Sequence, residues 1–109
     1  MLPKTQRIST NRFGEIVNSG KNLNFGAFYI KTLPNDTARF AVAVPKKVVK
    51  GAIKRHFMKR RLFMALKNHI NLFPPKDYIV FVNKEAEKMT FEEIDQNIKN
   101  IAQKVASLS

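Results

Sequence analysis

The chain contains no cysteine, which removes disulfides and thiolate metal sites together. It has no run approaching the ~18 apolar residues of a membrane-spanning helix, and its start lacks the apolar stretch of a signal peptide. A cytoplasmic protein is expected. Acid is scarce: 8 Asp and Glu stand against 20 Lys and Arg, and six of those acids fall after residue 76, leaving Glu15 and Asp36 isolated. A nuclease that works through two cations needs acids gathered in one place. Histidine is limited to His56 and His69, on opposite faces of one expected helix, so metal-free cleavage by a histidine pair is excluded within one chain. The four glycines, at 14, 20, 26 and 51, are scattered and form no phosphate-cradling loop. No catalytic residue, resident metal or cofactor is expected in the protein itself.

What is present is a cationic surface on a foldable chain. With 109 residues and 44% hydrophobic content, residues 1–109 make one domain with a modest core. Residues 1–76 carry 16 basic and 2 acidic groups, a net +14, while residues 77–109 carry 4 and 6, a net −2. Residues 46–67 concentrate the charge, with nine Lys and Arg and no acid. Such a density cannot be buried without partners, and its like charges repel one another unless a polyanion approaches. Yet Ala52, Ile53, Phe57, Met58, Leu62, Phe63, Ala65 and Leu66 are threaded through it. An ordered helix with a dense cationic surface is the electrostatic footprint of a nucleic-acid binder. A solvated charged helix usually mixes signs, and a membrane-surface helix needs one strong apolar stripe. Neither describes this stretch well, and no membrane partner is expected.

In chain order, residues 1–8 read as an extended arm. A first helix follows, capped by Ser9 or Thr10 and ended by Gly20, with Phe13, Ile16 and Val17 on one face. Residues 23–33 are strand material closed by the turn Pro34-Asn35-Asp36, and residues 39–44 form a second strand antiparallel to the first through that turn. Pro45 ends it. The basic helix spans about residues 52–69. Its core face carries Met58, Leu62, Ala65, Leu66 and His69; Ile53, His56, Phe57, Arg60, Phe63, Met64 and Lys67 lie opposite. The outer face is therefore basic and also apolar, which folding does not require. After Pro74-Pro75, the unbroken apolar run at 78–82 reads as a strand buried on both faces. Thr90 and Glu93 form a capping box, and Ile94, Ile98, Ile101, Val105 and Leu108 follow at helical spacing. Glu92, Glu93 and Asp95 sit in the first turn, where the helix dipole favours acids. The fold class is α+β: a single sandwich of helices on a mainly antiparallel sheet, in the order αββαβα.

The spacing Lys-Lys-x-x-x-x-Ala-x-x-Arg-x-x-x-Lys-Arg, carried by Lys46, Lys47, Ala52, Arg55, Lys59 and Arg60, resembles the protein component of bacterial ribonuclease P. Arg7-Ile8 before Phe13 and Gly20, the strand at 39–44 and the late strand at 77–82 continue the resemblance, which covers about residues 7–105. The chain departs from the family's Arg-Asn-Arg signature: His56 stands for the asparagine and Phe57 for the second arginine. Phe63 stands where another arginine is usual, and Val17 where an aromatic is usual.

The resemblance implies a ribonucleoprotein endonuclease that removes the 5′ leader from precursor tRNA, with the active site and its magnesium ions in the ribonuclease P RNA subunit. It implies an extra short strand near 21–23 and a left-handed strand–helix–strand crossover, against the usual hand. By the same resemblance the leader would lie in a cleft between the first helix and the sheet, against Phe13, Lys46, Lys47, Lys50 and Lys84. Lys54, Arg55, His56, Phe57, Lys59, Arg60 and Arg61 would face the catalytic RNA; Phe57 and Phe63 either stack on bases in place of part of the lost charge or pack on protein. The protein would bind both RNAs and support magnesium binding by the complex. Two other readings remain: a ribosomal or assembly protein that holds structured RNA without processing it, and a DNA binder. The latter is disfavoured because the helix start offers lysine and apolar groups, not the Asn, Gln or Arg that read base edges.

Overall fold

Ser9 opens the first helix by accepting the Arg12 N–H on its Oγ at 3.3 Å, and Gly20 closes it by donating to the Ile16 carbonyl at 2.8 Å. In the computed structural model, which describes residues 7–108, α1 spans Thr10–Ser19. Of the expected arm, residues 1–6 lie outside the described residues. Arg7 makes an isolated parallel bridge to Phe40, and the Ile8 N–H donates to the Phe40 carbonyl at 3.3 Å.

Residues 23–33 are two strands, not the single one expected. β1 (Lys21–Asn24) and β2 (Phe28–Pro34) pair antiparallel, with Leu23 opposite Ile30. The chain reverses at Gly26, whose φ of 78° a side chain would strain, while Asn24 Oδ1 accepts the Gly26 N–H at 3.0 Å. The added strand corresponds to the short one implied near 21–23.

The sheet order is β1-β2-β4-β3, which corrects the expected β2–β3 hairpin. β3 (Arg39–Ala43) and β2 run in opposite directions, but β4 (Lys76–Val82) lies between them. β4 pairs antiparallel with β2 and parallel with β3. The reason lies in the apolar run itself: Tyr78, Ile79 and Val80 are all fully buried, and only a central strand can bury both its faces. The parallel β3–β4 pair then requires a crossover. That crossover is α2 (Ala52–Asn68), which starts after Gly51 at φ 92° and ends at His69.

The core lies on one sheet face. Phe28, Ile30, Phe40, Tyr78, Val80 and Val82 meet Met58, Leu62, Ala65 and Leu66 of α2 and Ile94, Ile98, Ile101 and Val105 of α3 (Phe91–Leu108). Burying a leucine such as Leu62 or Leu66 contributes about 1.5–3 kcal/mol. Tyr78 stacks on Phe40 at 5.3 Å and meets Phe73 edge-on at 5.1 Å, while its hydroxyl donates to the Pro74 carbonyl at 2.7 Å. The capping box forms reciprocally: Thr90 N–H donates to Glu93 Oε1 at 3.0 Å, and Glu93 N–H to Thr90 Oγ1 at 3.2 Å. Leu108, at the end of α3, is exposed. His69, expected on the core face, is only half-buried, with Nε2 2.9 Å from Asp95 Oδ2. The bond fastens the end of α2 to the start of α3.

The opposite sheet face carries α1. Ile16 and Ile79 are fully buried there, outside the main core cluster. Lys31 Nζ donates to the Val17 carbonyl at 3.0 Å, setting a cation at the C-terminal end of α1, where the dipole favours it.

Candidate nucleic-acid interface

Two strand ends bring the first group of candidates together. Because β3 and β4 are parallel and Ala43 pairs with Phe81, both strands finish at the same end of the sheet. Lys46 and Lys47 follow β3, and Lys84 follows β4. All three, and Lys50, are exposed. The turn that presents the lysines is firm: Val48 and Val49 N–H both donate to the Pro45 carbonyl at 3.0 Å, and Val49 is buried. Anchoring one residue in the core while the lysines on either side stay in solvent is how a short loop holds charge in place.

At that same end the sheet face that carries α1 is aromatic. Tyr29 and Phe81 are direct partners across β2 and β4, and their rings stack at 4.5 Å and 5°. Both are half-buried. Alternation places Ala41 and Ala43 beside them on the same face. α1 lies nearer the other end of this face, since Arg12 reaches Asp77 at the start of β4. Phe13, half-buried, and Val17, 37% exposed, lie one turn apart along α1. Helix and aromatic pair thus share this sheet face, with the lysine turns at its end. Tyr29 and Phe81 were not among the sequence candidates. They lie 52 positions apart, and only the β2–β4 register unites them. A hint was available in the alternation of Phe28, Tyr29 and Ile30, which sends Tyr29 away from the core face.

Asp77 organises the other end of this sheet face. It is fully buried, and its oxygens accept Arg12 Nε at 2.6 Å, Arg39 Nε at 2.7 Å, a second Arg39 nitrogen at 2.8 Å and Asn35 Nδ2 at 3.0 Å. Burial raises the proton affinity of such a carboxyl, but the hydrogen bonds and charges of Arg39 and Arg12 outweigh it, and the net shift is downward. Arg12 also donates to the Pro34 carbonyl at 2.8 Å and to Glu15 at 3.0 Å. These two arginines are therefore structural and largely spent. Sequence reasoning did not single out this cluster.

The second group lies on α2, whose core face packs against the opposite side of the sheet. Lys54, His56, Phe57, Lys59, Arg60 and Arg61 are exposed, as are Ile53, Met64 and Lys67. Phe63 is half-buried against the core, so of the two phenylalanines placed on this face only Phe57 stands free. Arg55 differs from its neighbours: it is half-buried and donates to the Val49 carbonyl at 3.2 Å, bracing the lysine turn against the helix. The remaining cations of α2 make no ion pair among the described residues. His56 is exposed on α2, while His69, just past its end, is half-buried against Asp95. Among the described residues no three His, Asp or Glu side chains gather as a metal-holding group, and no helix is long and apolar enough to cross a membrane.

Comparison with known proteins agrees with this geometry. The family described as Ribonuclease P matches residues 2–106. The chain is 31% identical to the ribonuclease P protein component of Bacillus pumilus, over 96% of this chain and 92% of the relative. It is 26% identical to that of Bacillus velezensis, over 96% and 93%. Among solved structures, a Staphylococcus aureus RNase P protein (a mutant with defective mRNA degradation activity) superposes with a TM-score of 0.83 at 29% identity, covering 95% of this chain and 90% of that one. The chain belongs to the ribonuclease P protein family.

Proposed function

We propose that this chain binds two RNAs at once: a catalytic ribonuclease P RNA along α2, and the 5′ leader of precursor tRNA in the cleft floored by Tyr29 and Phe81. The observation that carries the reading is that the Tyr29–Phe81 pair and α2 lie on opposite faces of one sheet, with the exposed lysines of the 46–50 turn in the connection from β3 to α2. A leader is single-stranded, and an open aromatic pair bordered by lysines suits unpaired bases and their phosphates. The α2 surface is long and carries no acid, which suits the backbone of a structured RNA.

The chain contributes position and charge, not bond cleavage. Lys46, Lys47, Lys50 and Lys84 neutralise leader phosphates, and Phe13 with the Tyr29–Phe81 stack receives bases. Lys54, Lys59, Arg60 and Arg61 neutralise the catalytic RNA, while Arg55 holds the turn that links the two surfaces. Magnesium is assigned to the RNA. The buried carboxylate Asp77 is saturated by Arg12, Arg39 and Asn35, and Asp95 is held by Asn68 and His69, so neither of these two acids suits a magnesium site. By reducing repulsion among catalytic RNA, tRNA and leader, the protein lowers the magnesium concentration at which the complex forms. A cytoplasmic setting accords with a tRNA-processing role.

The cleft assignment is tested by Tyr29→Ala in the reconstituted complex. Affinity for precursor tRNA is expected to drop by about tenfold, the scale of one lost base stack, while affinity for mature tRNA, which has no leader, stays unchanged. Equal losses for both RNAs, or none, contradict it.

A further inference from the structure

Next to the outer stripe of α2 lies a recess of about 330 Å³ lined by Val49, Lys54, Phe57, Met58, Arg61 and Glu87. That volume is at the lower end of the ~300–1,000 Å³ typical of small-ligand sites. Its chemistry is divided. Val49 and Met58 are buried and give an apolar floor; Phe57 stands 51% exposed as one wall. Lys54 and Arg61 are exposed cations, and Glu87, from the 3-10 turn Lys84–Lys88 after β4, is the single acid. Glu87 makes no ion pair with either cation among the described residues, so its carboxylate is free to accept.

We propose that this recess is a subsite for one unpaired guanine of an RNA partner, stacked on Phe57, with Glu87 accepting from its Watson–Crick edge and Lys54 and Arg61 on the flanking phosphates. The inference rests on the reading of the chain as an RNA-binding subunit and adds a base preference to it. A second copy of the chain fits poorly, since it would bring two wholly basic helices face to face. An acidic peptide fits poorly too, because Glu87 would meet like charge. Guanine is selected by donor count. A carboxylate is acceptor-only and presents two oxygens, and guanine offers two adjacent donors, N1–H and the N2 amino group. Cytosine and adenine each offer a single amino group there, and uracil a single imino N–H.

The test uses the full chain and short single-stranded oligouridines carrying one central guanine, adenine or cytosine, with fluorescence anisotropy as readout. The guanine oligomer is expected to bind about tenfold more tightly than all-uridine RNA, the scale of one two-point contact. Glu87→Gln should abolish that preference while raising affinity for the guanine-free oligomers, because it removes a negative charge from a basic surface. Phe57→Ala should weaken binding to all of them about tenfold, with an unchanged melting temperature confirming that the fold is intact. Equal affinity for all four RNAs, a preference that survives Glu87→Gln, or no effect of Phe57→Ala overturns the proposal. Leader removal by the reconstituted complex is scored separately. A guanine preference without leader removal leaves the subsite standing and the processing role refuted; leader removal without the preference does the reverse.

Discussion

Arg12 of α1 and Asp77 of β4 meet through an Nε–Oδ2 hydrogen bond of 2.6 Å, across 65 positions of sequence. Asp77 also receives two bonds from Arg39 of β3 and one from Asn35 in the β2–β3 connection. One carboxylate therefore fixes where α1 crosses the sheet, and with it the wall of the proposed leader cleft. A buried charge is tolerated here because every bond it accepts comes from a matched donor.

Asp77→Asn keeps the shape and removes the charge. It leaves Arg39 and Arg12 facing a neutral amide, at a cost of about 3 kcal/mol in unfolding free energy, the lower end for a broken buried pair because both arginines keep partial access to water. Urea denaturation measures it. A loss under about 0.5 kcal/mol, typical of a surface change, would show that the cluster is incidental.

Acid should act on the same carboxylate. Its proton affinity is lower in the folded chain than in the unfolded one, so the unfolded state binds the proton first as pH falls. The stabilisation is complete above the unfolded value, about pH 4, and is lost progressively as pH drops through the depressed native value. Asp95, held below its usual range chiefly by the Asn68 hydrogen bond, contributes with the same sign. Stability profiles of wild type and Asp77→Asn should converge below about pH 4. A constant difference down to strong acid would place the effect elsewhere.

The two faces of α2 should respond in opposite ways. Leu66→Ala opens a cavity in a fully buried site and is expected to cost about 2–5 kcal/mol. Ile53→Ser, at 74% exposure, should change stability by less than about 0.5 kcal/mol. Thermal or urea unfolding of the pair decides whether the apolar outer stripe serves folding or contact.

RNA binding should be strongly salt-dependent. If about six phosphates are neutralised, log K falls with log salt at a slope of roughly −4 to −5. Replacing Lys59 and Arg60 by Ala should make that slope shallower by about 1.5 without selecting among sequences. A flat dependence would exclude a phosphate-led interface.

Much of this was legible in residues 46–108. The capping box of Thr90 and Glu93 is local, and helical spacing suffices to sort Leu62 and Leu66 from Phe57. The unbroken run at 78–82 already demanded burial on both faces, yet it did not say which strands would flank it. Pairing is a long-range choice. The turn at Pro34-Asn35 therefore read as a hairpin between β2 and β3, when β4 occupies the space between them. The reversal at Gly26 was passed over because aromatic and β-branched residues continue on both sides of it. Tyr29 with Phe81, and Arg12 with Asp77, share no local pattern and exist only through the register of β2, β3 and β4. Basic residues of the interface could be listed from charge alone; the aromatic floor between them could not.

Cleavage of a precursor tRNA at low magnesium, by the cognate ribonuclease P RNA with and without this chain, bears on the function most directly. Accurate release of the 5′ leader is expected only when both are present, with the protein alone inactive. Tight, salt-sensitive RNA binding that brings no stimulation of cleavage would contradict the processing role and leave a general RNA-binding protein.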